Sequence, residues 1–288
     1  MIPLSDRPEI DQWIASRLNS LVKDVEEAFE SYEPTPAGRA IQDFVVNELS
    51  NWYVRLCRRR FWKGDYSEDK IAAYQTLYQC LVTVAKLSAP IAPFYSEQLF
   101  SDLNGITGLE KDDSVHIAGW PKVDVHVIDK ALEQRMALAQ TASSLVLSLR
   151  KKENIRVRQP LQKIMVPVIN AEFEQHLKQV ESLILNEVNV KELEYVHDSN
   201  VFVKSIKPNF KALGPKVGKN MKALSALVNQ FGQDEIQQIE REGKITLDLK
   251  GSPFELIAED VAISTKDIPG WIVASEGNVT VALDITIS

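Results

Sequence analysis

Around Asn154 the chain changes its apolar period, so no single layer of one secondary structure can accommodate both halves. Before that point apolar residues recur three and four apart. Ile10, Trp13, Ile14, Leu18, Leu21, Val25 and Phe29 fall on one face of a first helix, with Pro8 suited to its opening position. Glu33–Pro34–Thr35–Pro36 breaks that helix, and Thr35 can cap a second one that begins at Pro36. The second helix is expected to run to about Trp62 on a stripe of Ile41, Phe44, Val45, Leu49, Trp52 and Leu56. Ser67 caps a third, through Ile71, Tyr74, Tyr78, Leu81, Val82 and Ala85; a short helix from Phe94 to Leu103 and a long one from Ile128 to Lys152 follow. Beyond Asn154, Ile155 to Arg158 and Lys163 to Ile169 alternate as strands do, Glu172 to Glu187 reads as a helix and Val190 to Val196 as a strand. Val201 to Ile206 reads as a strand and Pro215 to Val228 as a helix, and the strands Ile245 to Leu249, Phe254 to Ile257, Val261 to Ile263, Trp271 to Ala274 and Val279 to Ile287 close the chain. The expected architecture is a helical bundle over residues 1–160 followed by a smaller α+β domain over 161–288.

Composition narrows the function classes. An apolar fraction of 44% with 25% charged residues is that of a chain that folds rather than one that stays disordered. No apolar run is long enough to span a bilayer, and the opening MIPLSDRPEIDQW is not a signal peptide. The two cysteines, Cys57 and Cys80, suit a reducing compartment better than a disulfide framework. The four histidines, His116, His126, His176 and His197, lack metal-ligand spacing, and no nucleophile elbow accompanies the serines, so nothing places an active site here.

The chemistry-bearing feature is Leu49 to Lys63, LSNWYVRLCRRRFWK. In a chain of net charge −7 it holds Arg55, Arg58, Arg59, Arg60 and Lys63, no acid, and the rings of Trp52, Tyr53, Phe61 and Trp62. On an α-helix Asn51, Arg55, Arg58, Arg59 and Trp62 share one face, while Leu49, Trp52 and Leu56 face elsewhere. Guanidinium forks match phosphate oxygens and stack on bases, so this face suits RNA. The competing explanation is a solvated basic face paired with acids of a neighbouring helix. A second basic stretch runs from Arg150 to Lys163. There Arg150 to Lys152 also complement a helix C-terminus, whereas Arg156 and Arg158 would alternate on one strand face. A third runs from Ser199 to Gln233, with Lys204, Lys207, Lys211, Lys216, Lys219 and Lys222 and no acid. Its Gly214-Pro215-Lys216-Val217-Gly218-Lys219-Asn220 is no phosphate loop: it is one residue short, Asn220 stands where Ser or Thr is needed, and Pro215 removes a backbone donor.

Several strings carry a family resemblance: LSNWYVRLCRRRFW, Asp69–Lys70, Ala72-Ala73-Tyr74, Thr76-Leu77-Tyr78, the run Ala89 to Phe94, the opening Asp11-Gln12-Trp13-Ile14 with Arg17-Leu18-Asn19, and Val157 to Leu161. Together they resemble the anticodon-binding helical domain of the class I isoleucyl-tRNA synthetases. Asn186 to Glu192, Lys207 to Gly214 and Val217-Gly218-Lys219 resemble the C-terminal region of the archaeal and eukaryote-like form of that enzyme. Valyl and leucyl relatives share the bundle and fit these strings less well.

The resemblance implies a tRNA-recognition portion that holds the anticodon arm of isoleucine tRNA while a catalytic domain elsewhere receives the acceptor end. The HIGH-type and KMSKS-type motifs and the editing domain of the family do not occur here. The chain is therefore expected to be a cytoplasmic fragment without its opening helix, catalytically inactive alone and without a cofactor of its own; ATP and magnesium belong to the parent enzyme. Its expected partners are isoleucine tRNA and the catalytic and editing domains of the parent chain, with no membrane. Arg55, Arg58, Arg59 and Trp62 are the first expected RNA contacts, Arg156 and Arg158 the second, and Lys216, Lys219 and Lys222 the weakest, with Trp52 a buried anchor. The alternative is a protein-interaction scaffold, since the residues from Leu161 onward carry 13 basic and 18 acidic side chains.

Overall fold

The computed structural model describes residues 1–197, 204–249, 253–265 and 270–286, with a few side chains, among them those of Lys204, Lys211 and Lys219, outside the description. It divides into two compact units, Met1–Met136 and Ala137–Ser288.

The first unit is helical: α1 (Glu9–Glu30), α2 (Pro34–Asp43), a π-helical segment (Phe44–Val54), α3 (Arg58–Trp62), α4 (Glu68–Ser88), α5 (Pro93–Thr107) and the start of α6 (Lys130–Lys152). Trp13, Ile14, Leu18, Leu21, Val22 and Val25 bury one face of α1, against which α2, the π segment and α4 pack. The Ser67 hydroxyl caps α4 by accepting the Lys70 N–H at 3.3 Å. A satellite core of Val82, Ala85, Phe100 and Val115 joins α4, α5 and the loop beyond them.

A buried polar network fixes the helices in register. Glu133, at the start of α6, accepts hydroxyl bonds from Ser16 and Ser20, both at 2.7 Å, and an ammonium bond from Lys130 at 2.8 Å. Arg17 reaches Glu133 at 3.2 Å and grips Glu48 of the π segment at 2.8 Å. Burial alone would raise the Glu133 pKa; the bonds from Lys130, Ser16 and Ser20 outweigh it and lower the carboxyl to about 2.

The second unit is α+β. Strand β1 (Leu161–Pro167), helix α7 (Ala171–Val188) and β2 (Val190–Val196) form a parallel βαβ unit. The Asn170 side chain caps α7 by accepting the Phe173 N–H at 2.8 Å, and Asn189 ends it in the left-handed region at φ +52°. After β3 (Lys204–Pro208) come α8 (Phe210–Val217), α9 (Met221–Val228), α10 (Gln233–Glu242), β4 (Lys244–Asp248), β5 (Pro253–Ile257), β6 (Val261–Thr265), β7 (Trp271–Glu276) and β8 (Val279–Asp284). The main sheet has the order β2-β1-β8-β7, with β8 antiparallel to both β1 and β7; β3 pairs β6, and β4 pairs β5. Leu213, Leu224, Val228, Ile236, Ile239 and Leu256 centre a core between α8, α9, α10 and the smaller strand pairs.

Three expectations are corrected. The second helix is not one α-helix to Trp62: it is π-helical over Phe44–Val54 and breaks at Cys57 (φ −82°, ψ 4°). Residues 155–158 are not a strand, because Gln159 N–H closes a turn onto the Arg156 carbonyl at 3.0 Å and no neighbour strand pairs there among the described residues. The helix expected over Pro215 to Val228 is two, α8 and α9, separated by a 3-10 turn opening at Gly218 with φ +49°. Helix α10 is an additional element to which the sequence reading assigns no structure. Of the strand expected over Val201 to Ile206, residues 201–203 lie outside the described residues.

Candidate nucleic-acid interface

The π segment explains how the basic stretch is displayed. Its i→i+5 bonding widens the coil, and the buried residues follow that coil: Phe44, then Leu49, then Tyr53, Cys57 and Phe61, with Trp52 beside them. Leu56, placed in the apolar stripe by α-helical phase, is only half-buried. Asn51, Arg55, Arg58, Arg59, Trp62 and Lys63 all face solvent. The two tryptophans separate cleanly: Trp52 is 5% exposed and Trp62 is 79% exposed. A ring that size left in water beside cations is a ready stacking surface.

The arginines of the stretch divide as well. Arg55 donates from Nε to its own Asn51 carbonyl at 2.8 Å and lies 5.8 Å from the Trp52 ring centroid. Among the described residues no carboxylate pairs with Arg58, Arg59 or Lys63. Arg60 points the other way. It donates to both Asp11 oxygens at 2.7 and 2.9 Å, to Asp69 Oδ2 and the Asp69 carbonyl, each at 3.0 Å, and to Cys57 Sγ at 3.4 Å. Burial alone would lower the Arg60 pKa, and the Asp11, Cys57 and Asp69 contacts outweigh it and raise it. Tyr53 Oη donates to the same Asp11 at 2.9 Å, and Phe61 stacks edge-on against Tyr53 and Tyr74. Burial pushes the Cys57 thiol up to about 11, so it is a packed side chain rather than a nucleophile.

One further aromatic next to the run, Tyr66, is not among the residues the sequence singles out. Tyr66, in the loop after α3, is 82% exposed, with Lys70 Nζ 5.2 Å from its ring centroid. The available signal was an aromatic four residues beyond Trp62, still within reach of a basic run.

The other expected contacts are placed differently. Arg156 and Arg158 are exposed on the turn after α6 and not on a strand face. Arg150, assigned to the helix dipole, is instead a buried clamp: it donates to the carbonyls of Arg156 at 3.2 Å, Gln159 at 3.0 Å and Asn189 at 2.9 Å. Lys163, the last cation of that stretch, is paired with Glu194 at 3.0 Å and Glu192 at 3.4 Å. Lys216 is held by the buried Asp260 at 2.7 Å. The Lys219 side chain lies outside the described residues. Lys222 is exposed beside an open cleft that it lines with Phe210, Met221, Ser225, Ala226 and Asn229. The expected residues therefore do not form one surface patch within either unit: Arg55, Arg58, Arg59 and Trp62 belong to the first, and the rest to the second. No group of three potential metal ligands occurs among the described residues.

Residues 11–165 match the family described as the anticodon-binding domain of tRNA ligase. The chain belongs to this family. The matched span includes the π segment, α3 and the turn bearing Arg156 and Arg158. The whole chain is 54% identical to the isoleucine–tRNA ligase of Porphyromonas gingivalis, of which it covers 25%. It is 55% identical to that of Cytophaga hutchinsonii, covering 26% of it. The isoleucine–tRNA ligase of Clostridium tetani is 38% identical over 97% of the chain. The chain thus spans about a quarter of the length of the curated relatives it matches.

Proposed function

We propose that this chain is the tRNA-recognition portion of an isoleucine–tRNA ligase, holding the anticodon arm of isoleucine tRNA so that a catalytic domain elsewhere in the parent enzyme receives the acceptor end. The observation that supports it is the display of Arg58, Arg59 and the 79% exposed Trp62 on one short segment with no carboxylate against the two arginines among the described residues. Anticodon reading needs that combination, because loop bases are splayed, stacked on rings or guanidinium planes, and steadied by backbone phosphate contacts. Arg58 and Arg59 act as forks on phosphate or as stacking planes, Trp62 as a stacking ring, and Arg55 as a further RNA contact. Arg156 and Arg158 are secondary contacts from an exposed turn. In the α+β unit the proposal narrows to Lys219 and Lys222 as backbone contacts, because the Lys216 charge is already met by Asp260.

In this reading the chain activates no amino acid by itself; ATP and magnesium act in the parent's catalytic domain, and the setting is the cytoplasm. In this reading the functional border lies near residue 160; a family match that ends at residue 165 supports it. The test is titration of the chain with isoleucine tRNA and with a tRNA of different anticodon at two salt concentrations. Tight, salt-sensitive binding that prefers the isoleucine anticodon supports the proposal. Weak, salt-insensitive binding that ignores the anticodon favours a protein-interaction scaffold and contradicts it.

A further inference from the structure

We infer that Arg60 is a positioning residue that aims the neighbouring Arg58, Arg59 and Trp62 at RNA without touching RNA itself; the inference rests on the RNA-binding reading above. A guanidinium has five N–H donors. The five hydrogen bonds of Arg60, two to Asp11, two to Asp69 and one to Cys57 Sγ, use them all. No donor remains for a phosphate. Its charge is met on one side by the fully buried Asp11 and on the other by Asp69.

The segment it holds cannot orient itself. Helix α3 has five residues and no side-chain N-cap, which is far short of a self-supporting helix. It follows a break at Cys57 and precedes Gly64, at φ +76°. What fixes its roll is the burial of Phe61 and the Arg60 fork, which joins α3 to α1 through Asp11 and to the first turn of α4 through Asp69. The far end of the same arm is tied to α1 by Arg17 and Glu48. The arm bearing the exposed cations is therefore pinned to α1 at both ends by arginine–carboxylate forks. Loss of the Arg60 fork frees α3 to roll, and the phosphate contacts of Arg58 and Arg59 lose their shared geometry.

The experiment measures binding of isoleucine tRNA by the 288-residue chain across a salt series, for the unchanged chain, Arg60→Lys, Asp11→Asn, Arg59→Ala, the Arg60→Lys/Arg59→Ala pair and Arg58→Ala/Arg59→Ala. Lysine keeps the charge of Arg60 but cannot form a planar fork to two elements. Asp11→Asn keeps the shape and an acceptor, and is the milder variant should Arg60→Lys fold poorly. The expected result is about tenfold weaker binding for Arg60→Lys, with a shallower salt slope, although no positive charge has been removed. Asp11→Asn shifts both in the same direction, and adding Arg59→Ala to Arg60→Lys changes little more. Unchanged affinity and slope in Arg60→Lys and Asp11→Asn overturn the inference, whatever their thermal stability does. So does independent multiplication of the Arg60→Lys and Arg59→Ala effects. If Arg58→Ala/Arg59→Ala itself leaves binding unchanged, the RNA-binding reading falls and the inference with it; weakening there beside a normal Arg60→Lys rejects the inference alone.

Discussion

Arg58 and Lys216 both sit in runs that contain no acid, yet the two units treat them differently. Arg58 follows a π segment whose buried face has already been filled by Phe44, Leu49, Trp52 and Tyr53, so it is left facing water. Lys216, on α8, meets Asp260 from a stretch more than forty residues later in the chain, at 2.7 Å. The middle basic stretch repeats the second pattern, with Arg150 buried against carbonyls and Lys163 between two glutamates. Local charge counts thus report where cations are, and only the tertiary fold decides which of them is left for a ligand.

The largest effect that can break this contrast is at Arg150. Arg150→Met should remove its bonds to the Arg156, Gln159 and Asn189 carbonyls and destabilise the Ala137–Ser288 unit by about 3 kcal/mol or more, read by denaturant unfolding, with no direct loss of an RNA contact. A nearly neutral result would return Arg150 to the list of dispensable surface charges. Next in size is Glu133, whose lowered pKa makes stability depend on pH. The native carboxyl binds its proton only near pH 2, and the unfolded one near 4.5. Its contribution is therefore complete above about pH 4.5 and lost as pH falls toward 2; Ser16→Ala should narrow that window and cost roughly 1.5–3 kcal/mol, read by thermal unfolding against pH.

Trp62→Ala should weaken isoleucine tRNA binding by about 1–3 kcal/mol with the salt slope unchanged, because a stacking ring carries no counterion effect. The fold should be untouched, since the ring is 79% exposed. Lys216→Ala should do the opposite, costing about 1–2 kcal/mol of stability through the stranded Asp260 and leaving RNA affinity alone. The smallest effect is at Lys222: Lys222→Ala should lower the salt slope by at most about 0.7, the size of one contact on a single strand. A larger loss there than at Arg58 would reverse the contrast between the units.

Much of this was legible before the structure. Helical spacing placed α1, α4 and α6, alternation and turn signals placed β1, α7 and β2, and Trp52 was separable from Trp62 as anchor from exposed ring. What was not legible has physical causes. A π segment is invisible to a search at helical period, although Phe44 to Leu49 is a five-residue step between buried side chains. Arg156 and Arg158 alternate in sequence, but the Arg150 clamp bends their backbone into a turn. Helix α10 has only Ile236 and Ile239 as firmly buried apolar residues, too few to stand out. The carboxylate partners of Arg60 lie 49 residues before it and nine after it, beyond any local pattern.

The most direct test is the salt dependence of isoleucine tRNA binding by the chain with and without Arg58→Ala/Arg59→Ala, each checked for an unchanged unfolding transition. The expected result is weaker binding with a slope lower by up to about 0.7 for each charge removed. Equal affinity and equal slope in a folded double variant would contradict the central claim, that α3 presents the Arg58 and Arg59 guanidinium groups to RNA.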